Sequence, residues 1–254
     1  MNRPLVVGNW KMNGTQSSCA LLAGKIARGL RLHPAPVDVA IAPPSTALVA
    51  VRRALGKSPI ALAAQNCHWQ ANGAFTGEIS SVMLRDIGCD FVIIGHSERR
   101  QLFLESDSMI EKKLKAVIDN GLRAILCVGE TLRERESGRA TDVITRQLRS
   151  ALKGLGKNVI DKIAIAYEPV WAIGTGHHAN PSQISRVHRR IEQFLASLLG
   201  KSKGTECRIL YGGSVNPDNA PDLAALKEVS GLLVGGASLQ ADTFLSIIRC
   251  FNKK

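Results

Sequence analysis

Lysine, imidazole and carboxylate side chains able to share proton chemistry sit just past apolar runs in this 254-residue chain. Lys11 comes shortly after Leu5-Val6-Val7, with Asn9 between them, and His96 follows Phe91-Val92-Ile93-Ile94 after a single glycine. Glu168 directly follows Ile163-Ala164-Ile165-Ala166-Tyr167 and precedes Pro169. A positioned carboxylate or imidazole moves protons, and a cation or N–H donor steadies the negative charge left when a proton leaves carbon. Each residue also has an ordinary alternative: an exposed surface lysine, a capped core histidine, a strand-end carboxylate turned to solvent. Two glycine-rich stretches, Gly212-Gly213-Ser214 and Gly235-Gly236, follow two further apolar runs. Glycine lets main chain approach closely, so backbone N–H groups there could cradle an anion; tight turns needing positive φ are the alternative use.

Eight short apolar runs recur along the chain: those around Val6, Val92 and Ile165, and 37–41, 60–63, 124–128, 208–211 and 232–234. Runs that are apolar at nearly every position suit parallel strands buried on both faces. Between them the spacing turns helical. Ile110, Leu114, Val117 and Ile118 share one face; Ile184, Val187, Ile191, Leu195 and Leu198 share another, with Arg186 and Arg189 opposite. Ser108-x-x-Glu111 and Thr131-x-x-Glu134 read as capping boxes, and Asn216-Pro217 as an N-cap followed by a first-turn proline. Eight strand–helix units in about 250 residues predict an α/β fold, a (β/α)8 TIM barrel spanning 1–254 as a single domain. A doubly wound open sheet is the rival. In a barrel the segments after the strands gather on one rim, which is where the lysine, histidine, glutamate and glycine pairs fall.

The 33 Lys and Arg against 21 Asp and Glu leave a formal charge of +12, which invites a nucleic-acid or acidic-membrane partner. Three Trp, two Tyr and six Phe are few for base stacking. Arg28, Arg52, Lys112, Arg146, Arg189 and Lys227 are spread over separate predicted helices, so no nucleic-acid partner is expected. No apolar stretch approaches the ~18 residues of a membrane span, and the opening patch around Val6 is too short for a secretory signal. Six cysteines without a Cys-x-x-Cys or a close pair read as reduced thiols of a cytoplasmic protein. Three motif matches lack their context. Gly174-x-Gly176-x-x-Ala179 does not start at a strand end, and His96-Ser97-Glu98 has no Pro-Cys-x-x-Cys after it. His177-His178 are adjacent and do not converge on one metal.

Five blocks, in order, resemble the triosephosphate isomerase family. They are Gly8-Asn9-Trp10-Lys11-Met12-Asn13-Gly14, Gly95-His96-Ser97-Glu98-Arg99, the stretch from Ala166 to Gly176, Tyr211-Gly212-Gly213-Ser214-Val215, and the stretch from Leu233 to Leu239. The resemblance implies interconversion of dihydroxyacetone phosphate and D-glyceraldehyde 3-phosphate through an enediolate, with neither metal nor organic cofactor. Glu168 would be the base, His96 the neutral hydrogen-bond donor and proton shuttle, and Lys11 the stabiliser of oxyanion and phosphate, with Asn9 orienting the same end. Backbone N–H groups of Gly174, Ser214, Gly235 and Gly236 would hold the phosphate, Glu98 and Tyr211 would support the network, and 169–176 would close as a lid. It further implies a homodimer through the loop from Gln65 to Glu78, with Thr76 reaching toward the partner's Asn9 and Lys11. The chain departs from the family after Gly176, where His177-His178 replace a lysine and a small residue. The hinge then either gains charge as pH falls through about 6.5 or simply tolerates the change. The remaining rivals are another phosphate-binding barrel, such as an aldolase needing a Schiff-base lysine inside the barrel, and a basic nucleic-acid-binding protein.

Overall fold

The computed structural model describes residues 3–173, 179–200, 204 and 206–253. Each apolar run forms a strand: β1 (Leu5–Asn9), β2 (Asp38–Ala42), β3 (Ala61–Ala64), β4 (Phe91–Ile94), β5 (Arg123–Val128), β6 (Ile163–Tyr167), β7 (Arg208–Tyr211) and β8 (Gly231–Val234). The strands pair in parallel in sequence order, and β8 returns to β1 to close the barrel. The open-sheet rival is thereby excluded. Side chains alternate along a strand, and the two faces feed two apolar clusters. Leu5, Val7, Phe91, Ile93, Ile125 and Leu210 fill the barrel interior. Val6, Val92, Ile94 and Leu126 pack outward against the helices. Burial on both faces is why the runs carry no polar alternation.

The helices are α1 (Gln16–Leu32), α2 (Leu48–Leu55), α3 (Ser81–Asp86), α4 (Ser97–Leu102), α5 (Asp107–Asp119), α6 (Leu132–Glu136), α7 (Ala140–Ala151), α8 (Pro181–Leu199), α9 (Ala220–Ala225) and α10 (Ala241–Arg249). The Thr131–Glu134 capping box forms as expected. The Ser108 box does not. Ser106, in extended backbone, caps α5 by accepting the Met109 N–H, which leaves Ser108 inside the helix. Asn216 caps only a turn, accepting the N–H groups of Asp218 and Asn219. Asn219 spends its side chain on the Ser214 carbonyl and the Asn216 N–H, so α9 starts beyond it without a side-chain cap. A further box opens α8, where Asn180 and Gln183 cap each other around Pro181. On α8 the buried face is rotated slightly from the expected one: His188 and Leu199 are buried, while Leu198 is exposed. His188 lies edge-on to Tyr167, with Nδ1 3.0 Å from the Glu228 carbonyl.

One ion cluster is buried beside the α4–α5 junction. Glu105 pairs with Lys113 and Arg99, and Lys113 also donates to Asn66 Oδ1 at 2.9 Å. Glu105 and Lys113 are about as buried as the aliphatic core. Removing one member strands a charge out of water. Glu105→Leu is expected to cost about 3–5 kcal/mol in denaturant unfolding at fixed protein concentration. Adding Lys113→Met should recover much of that loss; if the double variant is as unstable as the single, the stranded charge is not the cause.

Candidate active site

Asn9, Lys11, His96, Glu168, Ser214, Gly235 and Gly236 meet around a cavity of about 260 Å³ at the C-terminal rim of the strands. Residues separated by up to 227 positions in sequence are neighbours because the barrel brings every strand end to one face. Gly174, His177 and His178 lie outside the described residues, and so does the expectation placed on the histidine hinge.

Glu168 continues β6, its N–H donating to the Val128 carbonyl at 2.8 Å. Its carboxylate is 2% exposed, with Oε1 3.0 Å from His96 Nε2 and Oε2 accepting the Ser97 N–H at 2.8 Å. Burial opposes ionisation, but His96 and the Ser97 amide outweigh it and hold the carboxyl below its ordinary range. Close passage of main chain shapes this position. A Cβ on Gly129 would fall 1.7 Å from the Glu168 carbonyl oxygen, so only glycine fits there. The Gln147 side-chain amide then pairs with both the N–H and C=O of Gly129.

His96 is the N-cap of α4, and its Nδ1 accepts the Glu98 N–H at 3.3 Å. That bond assigns the ring proton to Nε2, the nitrogen facing Glu168. Burial works against charge on the ring, the adjacent carboxylate works for it, and the balance raises the imidazole pKa while the two remain in contact. Lys11 has φ +51, a conformation that costs a non-glycine residue energy and marks a constrained place. Gln65 Nε2 donates to its carbonyl at 2.8 Å and Asn9 Oδ1 accepts its N–H at 3.1 Å. The ammonium lies 2.6 Å from Glu98 Oε1, and the other oxygen of Glu98 is 3.5 Å from His96 Nδ1. One carboxylate therefore faces both the Lys11 ammonium and the His96 ring.

None of Gly212, Gly213, Gly235 and Gly236 has a positive φ. Turn strain does not explain them, and the close-approach reading stands. Among the described residues, no atom lies within 4 Å of a Cβ built on Gly236, which leaves its main chain bare on that side. A Cβ on Gly213 would collide with the Tyr211 hydroxyl at 2.2 Å. Burial pushes that phenol up to about 12, and its hydroxyl meets the Ala179 backbone.

Sequence reasoning missed Glu130. Fully buried two residues past β5, it accepts from the Tyr167 hydroxyl at 3.1 Å, the Trp171 indole at 3.0 Å and Arg135 at 3.1 Å. Trp171 lies three residues past Glu168, so Glu130 ties the start of the segment leaving β6 to the barrel. The signal was available: a carboxylate just past a strand end, the same signal that singled out Glu168. Cys127 packs near Glu168, and burial with that negative charge pushes its thiol well above its ordinary pKa, so it is no nucleophile. Among the described residues, no three His, Cys, Asp or Glu side chains are placed to hold a metal ion.

The comparisons with known proteins agree with this geometry. The family model described as triosephosphate isomerase matches residues 4–251. The triosephosphate isomerase of Syntrophotalea carbinolica is 48% identical over 249 residues, covering 98% of each chain. That of Caldanaerobacter subterraneus subsp. tengcongensis is 46% identical over 248 residues, covering 98% of this chain and 99% of its own. The crystal structure of triosephosphate isomerase from Bartonella henselae superposes with a TM-score of 0.90 at 42% identity, each chain fully covered. With a closed eight-stranded barrel, a buried glutamate–histidine contact on its rim and likeness along its whole length, the chain belongs to the triosephosphate isomerase family.

Proposed function

We propose that this chain performs its family's reaction, the interconversion of dihydroxyacetone phosphate and D-glyceraldehyde 3-phosphate through an enediolate, with Glu168, His96 and Lys11 as its catalytic residues. The observation that carries the reading is the 3.0 Å contact between Glu168 and His96, set between Lys11 and two bare glycine stretches. Moving a proton between adjacent carbons needs one base that reaches both, and Glu168 serves once it releases His96 and the Ser97 N–H. The His96 Nε2–H donates to the oxygen where charge develops. When Glu168 takes the substrate proton its own charge is gone, so the main support for an imidazolium disappears with it. Burial, Lys11 and the positive end of α4 then keep the ring neutral, a donor matched to an oxyanion. Lys11 supplies the cation, Asn9 orients its backbone, and the N–H groups of Ser214, Gly235 and Gly236 hold the phosphate. A lid running from Pro169 shields the enediolate from water. A coupled assay with glyceraldehyde 3-phosphate tests the reading, which fails if purified protein gives no dihydroxyacetone phosphate.

The same reading makes the working form a homodimer of a cytoplasmic, glycolytic enzyme. Support for the dimer comes from apolar side chains left in water on the segments after β1, β3 and β4: Met12 at 94% exposed, and Phe75, Leu102, Phe103 and Leu104. Thr76 is exposed beside Phe75. Because Met12 adjoins Lys11, a partner seated on Met12 would brace the catalytic lysine. Sedimentation should show a dimer, and Leu102→Glu should give monomers with reduced kcat. A wild-type monomer of full activity would refute it.

A further inference from the structure

We propose that Arg100 is a positioning residue for His96, fixing the imidazole at its distance from Glu168; this rests on the assignment of that pair to proton transfer. β4 ends at Ile94, paired with Leu126 of β5, and the chain then leaves the sheet at Gly95, whose φ is +69. The departure opens a gap in the ladder. The Val128 carbonyl accepts the Glu168 N–H on the β6 side, and carbonyls alternate along a strand. The Cys127 carbonyl therefore faces β4 where β4 has already turned away.

The Arg100 guanidinium fills that gap. Nε donates to the Gly95 carbonyl at 2.8 Å and Nη2 to the Cys127 carbonyl at 3.1 Å, while Nη1 donates to Asp107 Oδ1 at 2.7 Å. A planar fork of donors can span two carbonyls and a carboxylate at once; a lysine ammonium acts from a single point. The Gly95 carbonyl belongs to the peptide that carries the His96 nitrogen. Cys127 immediately precedes Val128, whose carbonyl holds Glu168. One side chain thus ties together the backbones of both members of the acid–base pair. It does so from outside the cavity, since Arg100 is not among the residues lining it. Asp107, also 3.6 Å from Arg146, orients the guanidinium from the α5 side. Glycine at position 95 suits the clamp, since φ is positive there and a Cβ would crowd Arg100 Nη2 at 3.0 Å and Ile110 Cδ1 at 3.1 Å.

Steady-state kinetics of Arg100→Ala and Arg100→Lys, with Glu168→Gln alongside, test the proposal. A displacement near 1 Å in an active site costs about 10²-fold, so Arg100→Ala should lose kcat on that scale. Its KM and its competitive inhibition by inorganic phosphate should hold, because the glycine stretches after β7 and β8 are untouched. Added guanidinium ion should restore part of kcat in Arg100→Ala and leave the wild type unchanged, and Arg100→Lys should fall between the two. If Arg100→Ala does not fold, Arg100→Lys decides by the same kcat–KM split. Folded variants with wild-type kcat overturn the proposal, as does a parallel loss of kcat, phosphate affinity and Tm with no response to guanidinium. Glu168→Gln with full activity would instead bring down the assignment of the pair itself.

Discussion

Glu168→Gln is expected to fold, to bind phosphate as the wild type does, and to lose kcat by about 10²–10⁴-fold, the range that a positioned base supplies. Glutamine keeps the volume of a side chain that is 2% exposed, so no cavity opens. Its amide oxygen can still accept the Ser97 N–H or the His96 Nε2–H. What it lacks is basicity. Glu168→Asp should fail differently: the base remains, but its oxygens retract by one methylene and no longer reach both carbons of the substrate. The loss should again appear in kcat with KM nearly unchanged, since the phosphate contacts sit elsewhere on the rim. The ionisation of the free base follows from the same contacts. His96 and Ser97 hold the free carboxyl below its ordinary range, and a base must be ionised to act. Glu168 should therefore stay ionised down to the acid end of the carboxylate range, and any loss of kcat/KM at about pH 6 should follow the second ionisation of the substrate phosphate or the His96 ring. A Glu168 carboxyl band, identified by infrared difference against Glu168→Gln, that titrates near neutrality in the stable free enzyme would contradict this.

Lys11→Met should be nearly as damaging, by about 10²–10³-fold in kcat/KM, the cost of removing one donor aimed at developing charge. Here KM should rise while kcat falls, because the ammonium serves both the phosphate and the oxyanion. Methionine preserves the stem, and the Gln65 and Asn9 contacts to the Lys11 backbone do not depend on the side chain. Loss of activity would then report the missing charge and not a collapsed loop. Lys11→Arg should not restore the activity: a cavity of about 260 Å³ must also take the substrate, and the guanidinium is larger and planar. Steady-state kinetics and phosphate inhibition on both variants decide the matter. A Lys11→Met enzyme with unchanged KM would remove Lys11 from phosphate binding.

The barrel was legible because its strands are buried on both faces, which leaves uninterrupted apolar runs such as Ile163–Tyr167. The rim position of Lys11, His96 and Glu168 followed from counting past each run. Contacts set by three-dimensional packing were not legible in this way. That His96 caps α4, and so has its tautomer set by the Glu98 N–H, depends on the backbone leaving β4 at Gly95. Ser106 and Ser108 are both eligible caps by type, and only the extended backbone at Ser106 decides between them. The use of Gly235 and Gly236 also stood open until their φ angles showed that no left-handed turn requires glycine there. Glu130 could have been found, because it too lies on the rim past a strand.

The central claim is that Glu168 carries a proton between two carbons, and substrate turnover in D2O tests it directly. A carboxyl that takes a proton from one carbon can exchange it with solvent before delivering it to the next. Dihydroxyacetone phosphate turned over in D2O by the wild type should yield glyceraldehyde 3-phosphate bearing deuterium at C2, and Glu168→Gln should lose this incorporation together with isomerisation. Product free of solvent deuterium, the mark of direct hydride transfer between carbons, or undiminished incorporation by Glu168→Gln, would contradict it.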